Sequence, residues 1–125
     1  MRLKVITVFL TSVIATSTAL ADSRDIKCDE SKVMPIFVRV NFATVVNFPV
    51  KPDNVLLGSN NQFGVQYIKN DIALTAMSST SNTNMYVYLF GRRCAFVLST
   101  TKARFDSVVR IIDPDENKVR VKYSD

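Results

Sequence analysis

The sequence predicts an all-β fold, a single antiparallel β-sandwich of eight or nine short strands. Three observations predict it. Runs rich in Val, Ile, Phe, Tyr and Thr alternate apolar and polar positions with period two, the pattern of half-buried strands. Clusters of Gly, Pro, Asn, Asp and Ser separate these runs every several residues, as turns do. No apolar i, i+3, i+4, i+7 pattern persists for three turns, and no internal repeat or linker divides the chain. Many short strands with regular turn signals fit a sandwich or small barrel.

Residues 1–21 are expected to be a secretory signal peptide outside this fold. Arg2 and Lys4 give a charged start, Val5–Ile14 is an apolar run, and Ala19-Leu20-Ala21 is an A-x-A cleavage site. The apolar run is shorter than the roughly 20 residues of a spanning helix. Cleavage would leave residues 22–125 as one domain, a chain of 104 residues out of 125. That is enough for a single core of modest stability. Without Arg2 and Lys4 the 16 basic residues fall to 14 against 11 acidic ones, a net charge of +3. No Lys/Arg-rich block accompanies it, so nucleic-acid binding is not expected. Cys28 and Cys94, the only two cysteines, are read as a disulfide of an exported domain. It ties the N-terminal segment DIKCDESK to the middle of the chain. With no histidine and no C-x-x-C pair, no metal or redox site and no cofactor is expected.

The strands follow in order. Pro35 opens Ile36–Phe42, and Thr44–Phe48 ends at Pro49, which has no N–H for a ladder. Lys51-Pro52-Asp53-Asn54 is turn material before Val55–Gly58. Phe63–Ile68 alternates and turns at Lys69-Asn70-Asp71 into Ile72–Ala76. Ser78–Asn84 is a polar stretch read as a loop. Met85–Phe90 and Cys94–Leu98 flank Gly91-Arg92-Arg93 as a central hairpin. Met85, Val87 and Leu89 share one face of it; Tyr86, Tyr88 and Phe90 share the other. Phe105–Ile112 is a further strand. Asp113-Pro114-Asp115-Glu116-Asn117 is read as a turn of solvated acids into Lys118–Tyr123, an outer strand with a basic face.

This succession resembles the periplasmic N-terminal domain of type IV secretion and conjugal-transfer outer-membrane-core proteins, the family that includes the TrbG and CagX class. The residues that carry it are Phe48-Pro49, Gly58-Ser59 with Phe63, Ile72–Ala76, Thr83-Asn84 with Met85–Leu89, and Arg92-Arg93 with Phe96 and Leu98. It spans roughly residues 36–112 and carries nothing about that family's C-terminal domain; the cysteine pair has no place in the family pattern. The resemblance implies a sandwich with a scaffolding role. Such a domain sits in the periplasm, in a ring of its own copies and other envelope subunits that associates with the outer membrane through partners.

The matched residues have physical roles beside the resemblance. Thr83 and Asn84 are expected to satisfy loop backbone groups with their side chains. Gly58 and Gly91 are expected to supply unusual backbone angles at turns. Tyr86 and Tyr88 fit either a core position or an aromatic contact patch. Arg92 and Arg93, placed at the hairpin tip, are candidate contacts to a neighbouring subunit.

No enzyme is expected. Without histidine a neutral-pH base must be a shifted carboxylate, a lysine, a tyrosine or a thiol, and no G-x-S-x-G or S-x-x-K sequence supplies a nucleophile. Asp113, Asp115 and Asn117 start like a calcium loop, but Lys118 stands where the glycine belongs and Ser124 where the closing glutamate belongs. The expected function is therefore structural, as a subunit of an envelope secretion machine. The alternative is a free periplasmic peptide- or protein-binding module that takes up a strand at an exposed edge such as Lys118–Tyr123.

Overall fold

A computed structural model describes residues 7–9, 11–12 and 21–113. Nine strands follow one another: β1 (Ala21–Lys27), β2 (Val33–Val38), β3 (Ala43–Asn47), β4 (Asn54–Leu57), β5 (Phe63–Ile68), β6 (Asp71–Ala76), β7 (Asn82–Leu89), β8 (Arg92–Thr100) and β9 (Phe105–Ile112). They form a five-stranded sheet in the order β1-β9-β3-β6-β5 and a four-stranded sheet in the order β2-β8-β7-β4. The chain is an all-β sandwich, as its periodicity predicts.

The core lies between the sheets. The five-stranded sheet contributes Ile26, Val46, Ile72, Leu74, Val109 and Ile111; the four-stranded sheet contributes Ile36, Val38, Met85, Val87, Leu89, Phe96 and Leu98. Phe48 and Phe96 meet edge to face across it, their ring centroids 6.4 Å apart, a favoured aromatic geometry. On the central hairpin, Met85, Val87 and Leu89 are the inward set, so the tyrosine set faces out.

The expected sheets were antiparallel, but both are mixed. The β1–β9, β3–β9 and β2–β8 pairs run parallel. Among the described residues hairpins join only β5 to β6 and β7 to β8; the other neighbours are brought together over long stretches of chain.

Several boundaries also differ. The polar N-terminal segment is a strand, β1, because pairing with β9 supplies its ladder and Ile26 its anchor in the core. The run Ile36–Phe42 starts earlier, at Val33, and stops at Val38, where Asn41 takes a left-handed φ of 73° and Phe42 N–H donates to the Arg39 carbonyl at 3.1 Å. Pro35 therefore lies inside β2, allowed there because β2 is a sheet edge. The polar loop ends at Ser81; Thr83 and Asn84 belong to β7 and pair with Leu98 and Val97. The hairpin turn is Phe90-Gly91, with φ of 52° and 70°, as a two-residue primed turn requires. Arg92 and Arg93 open β8 rather than form the turn. The strand Lys118–Tyr123 lies outside the described residues.

The disulfide joins Cys28, just after β1, to Cys94 on β8, with a sequence separation of 66 residues and Cα atoms 5.4 Å apart. Both cysteines are buried. The bond links the strand-end of one sheet to the middle of the other.

Candidate functional site

The two outer faces differ in chemistry. Across the five-stranded sheet, register aligns Asp25, Arg110, Asn47, Asp71 and Ile68. Asn47 Nδ2 donates to Asp71 Oδ1 at 2.6 Å, and Arg110 Nε approaches Asp25 Oδ1 at 3.9 Å. That row is mostly polar and charged, while the next row on the same face runs Ser23, Val108, Val45, Ala73 and Gln66, with Val108 40% exposed.

The four-stranded sheet carries apolar and aromatic side chains on its outer face as well as its inner one. Alternation that sends Met85, Val87 and Leu89 inward sends Tyr86 and Tyr88 outward, and register carries that face across every strand. One row consists of Leu56, Tyr86, Ala95 and Val33, from β4, β7, β8 and β2. A second runs Asn84, Val97, Pro35, and a third sets Tyr88 between Asn54 and Arg93. Val33 is 60% exposed, Leu56 56% and Tyr88 37%. Contiguous apolar surface of this kind marks contact sites rather than ordinary solvated surface.

A shallow groove of about 350 Å³ runs over these residues, edged by Glu30, Ser31, Lys32 and Arg93. Its rim is preorganised by Asp29, whose Oδ1 accepts from the Ser31 hydroxyl at 2.6 Å and the Ser31 N–H at 2.9 Å. These bonds to the charged form hold the Asp29 carboxyl below its ordinary value, the side-chain bond contributing most. An apolar, aromatic floor with a mixed-charge rim matches the anatomy of a protein interface.

The remaining candidate residues separate into surface and scaffold. Arg93 is exposed and borders the groove beside Tyr88. Arg92 points the other way, its Nη1 3.7 Å from Oδ1 of Asp113, which is buried. Asp113 is thus part of the frame, not one of a set of solvated acids; Asp115, Glu116 and Asn117 lie outside the described residues. Asn84 Nδ2 donates to the Tyr86 hydroxyl at 3.2 Å, so Asn84 orients a groove tyrosine instead of capping a loop.

Gly58 shows no left-handed φ. It sits where space is tight: a Cβ there would run into the Asn84 carboxamide oxygen, the movable end of a side chain, and meet Thr83 Oγ1 at 3.0 Å. Gly91, at φ 70° with nothing within 4 Å, is the conformational glycine. The serines of the polar loop close on themselves: Ser78 N–H donates to Ser81 Oγ at 3.0 Å, and the Thr100 hydroxyl donates to the Ser79 carbonyl at 2.7 Å. Among the described residues no group of three or more His, Cys, Asp or Glu is placed to hold a metal ion.

The members of the outer row that sequence reading missed are Leu56, Ala95 and Val33. Their alternation was visible, but only the register of three strand pairings aligns them with Tyr86.

Fold and surface together define a small disulfide-linked β-sandwich whose four-stranded sheet carries an aromatic and aliphatic outer row. No family model matches the chain, and no curated protein matches it.

Proposed function

We propose that the chain is a non-enzymatic structural subunit of a bacterial cell-envelope secretion or conjugation machine of the type IV kind, acting through protein contacts in the periplasm. The single observation that carries the contact role is the row Leu56–Tyr86–Ala95–Val33, which lays apolar and aromatic side chains across the full width of a sheet face that is open among the described residues. The machine is suggested by the resemblance in residues 36–112, carried by Phe48-Pro49, Gly58, Thr83-Asn84 and the central hairpin. A buried disulfide is compatible with an oxidising, exported compartment. In this reading Tyr86, Tyr88 and Arg93 meet a neighbouring subunit, while Arg92 braces the hairpin from within.

Site-specific photocrosslinking in intact cells tests it. A crosslinker at Leu56 or Tyr88 is expected to capture envelope-machine subunits in a high-mass complex, and one at Val108 on the opposite face is not. Recovery of an uncrosslinked monomer from all three positions would overturn the proposal.

A further inference from the structure

Two sheets have four edges, and three of them carry features that discourage a further strand. On β2, Pro35 has no N–H, its carbonyl accepts from Arg24 Nη2, and Phe37 N–H donates to Asp106 Oδ2 at 2.8 Å. The outward-facing backbone of that edge is occupied by side chains. β1 carries Asp22, Arg24, Asp25 and Lys27 within seven residues, the charged composition that discourages edge pairing. β4 has only four residues and follows Pro52-Asp53.

β5 has none of these protections. Its six residues, FGVQYI, contain no charge and no proline. The two-residue turn Lys69-Asn70 makes Ile68–Asp71 the first pair of the β5–β6 ladder, and Met77 N–H donates to the Gln62 carbonyl at 3.0 Å. Both facts put the even-numbered residues of β5 in the bonded phase. The N–H and C=O groups of Phe63, Val65 and Tyr67 therefore point along the free edge, and no described strand pairs with them.

We propose that β5 is an assembly edge that pairs antiparallel, about a two-fold axis at Val65, with β5 of a second copy of this chain. In that register Val65 faces Val65 of the other copy and Phe63 faces Tyr67. Each opposed pair exchanges two N–H···O bonds, so every outward group is satisfied. The side chains suit it as well. Tyr67, 63% exposed, comes to lie over the edge of the buried Phe63 of the other copy. With no charge between residues 62 and 68, no like charges are opposed, and Lys69 of one copy falls opposite Asn61 of the other. An edge of this composition calls for a neutral, apolar strand with an aromatic at each end, and β5 itself meets that description. The result is an isologous dimer with one continuous ten-stranded sheet. This inference concerns a different surface from the groove over Tyr86 and does not rest on the secretion reading.

Sedimentation of the protein across a range of concentrations, with amide hydrogen exchange on the same samples, tests it. The expected result is a monomer–dimer equilibrium in which the Phe63, Val65 and Tyr67 amides slow as the dimer forms, while the Gly64 and Gln66 amides stay at one rate. Val65→Pro, which removes an outward N–H and no bond to β6, is expected to sediment as a monomer with an unchanged circular dichroism spectrum. A monomer at every concentration would overturn the proposal. So would a dimer whose three edge amides still exchange fast, because it would form through the four-stranded sheet. Edge amides protected only by a co-purified peptide would also overturn it, since another strand would then hold the site.

Discussion

Asp106 on β9 grips Arg24 on β1 with both carboxylate oxygens, Oδ1 lying 2.7 Å from Nε and Oδ2 2.9 Å from Nη2. The same carboxylate accepts the Phe37 N–H of β2, so one side chain ties the five-stranded sheet to the edge of the four-stranded one. Asp106 is 4% exposed. Removing one member of a buried pair strands the other without compensation, a larger effect than the pair's net worth. Asp106→Ala is expected to lower unfolding free energy by about 3 kcal/mol, toward the lower end of that class because Arg24 keeps part of its surface in water. The double variant Asp106→Leu with Arg24→Met is expected to recover part of the loss, the remainder being the Phe37 N–H left without its acceptor. Urea unfolding of the single and double variants measures both.

The disulfide holds the sheets together at a second point. Closing a loop of 66 residues stabilises a small domain by about 2–4 kcal/mol. Replacing both Cys28 and Cys94 with Ala is expected to lower the unfolding free energy measured in urea by that amount while leaving the far-ultraviolet dichroism of the native state unchanged. Because both sulfurs are buried, reduction of the native protein is expected to be slow and to quicken in mild denaturant. Thiol labelling against time reads that directly.

What could be read in advance follows from where the pairing information lies. Phe63–Ile68 and Phe105–Ile112 have the strand limits that alternation assigns them, since turn residues bound the first and both faces of the second are distinct. β1 was hidden because only Ile26 among ADSRDIK is a buried apolar residue; its ladder comes from β9, some eighty residues away. Asn82 and Thr83 look like loop residues, yet β8 offers them partners at Ser99 and Leu98. Parallel pairing leaves no local mark at all. At the site, alternation grouped Tyr86 with Tyr88 but left open which set faces the core, which the burial of Met85, Val87 and Leu89 decides, and the direction of Arg92 depends on Asp113 arriving from the end of β9.

Gly58 and Gly91 separate two reasons for glycine, and alanine distinguishes them. At Gly91 the added methyl meets nothing within 4 Å, but φ is 70°, so Gly91→Ala is expected to cost about 1–2 kcal/mol from backbone strain alone. At Gly58 the methyl displaces the Asn84 carboxamide and with it the bond to the Tyr86 hydroxyl. Adding Asn84→Ala is expected to relieve Gly58→Ala and to leave Gly91→Ala unchanged. A double-mutant cycle with coupling at Gly58 and none at Gly91 is the readout.

Ser31 lowers the pH at which Asp29, beside the groove, gains its proton. The Asp29 carboxyl is held low by its bonds from Ser31, so its stabilising contribution is complete above the unfolded carboxylate value of about 4 and is lost as pH falls through the folded value. Ser31→Ala is expected to raise the Asp29 titration midpoint toward the ordinary value. The pH-dependent part of the stability difference should then be largest near neutrality and vanish in strong acid. Carboxyl carbon shifts followed by nuclear magnetic resonance report the midpoint; a midpoint unmoved by the substitution would remove Ser31 as the cause.

Leu56 and Leu89 give the sharpest contrast between contact and core. Leu89 is 1% exposed and packs between the sheets, whereas Leu56 is 56% exposed in the outer row. Leu89→Ala removes buried methyl groups and leaves a cavity, a change expected to cost about 2–5 kcal/mol. Leu56→Ala takes no side chain out of the core and is expected to fall within about 0.5 kcal/mol of the unsubstituted chain. If the outer row is a protein-contact face, the order reverses for assembly. Leu56→Ala, and more strongly Leu56→Lys, is expected to release the protein from its high-mass complex while its melting profile stays unchanged. Parallel measurement of melting and complex recovery decides the matter, because a face with no partner would leave recovery the same in every folded variant.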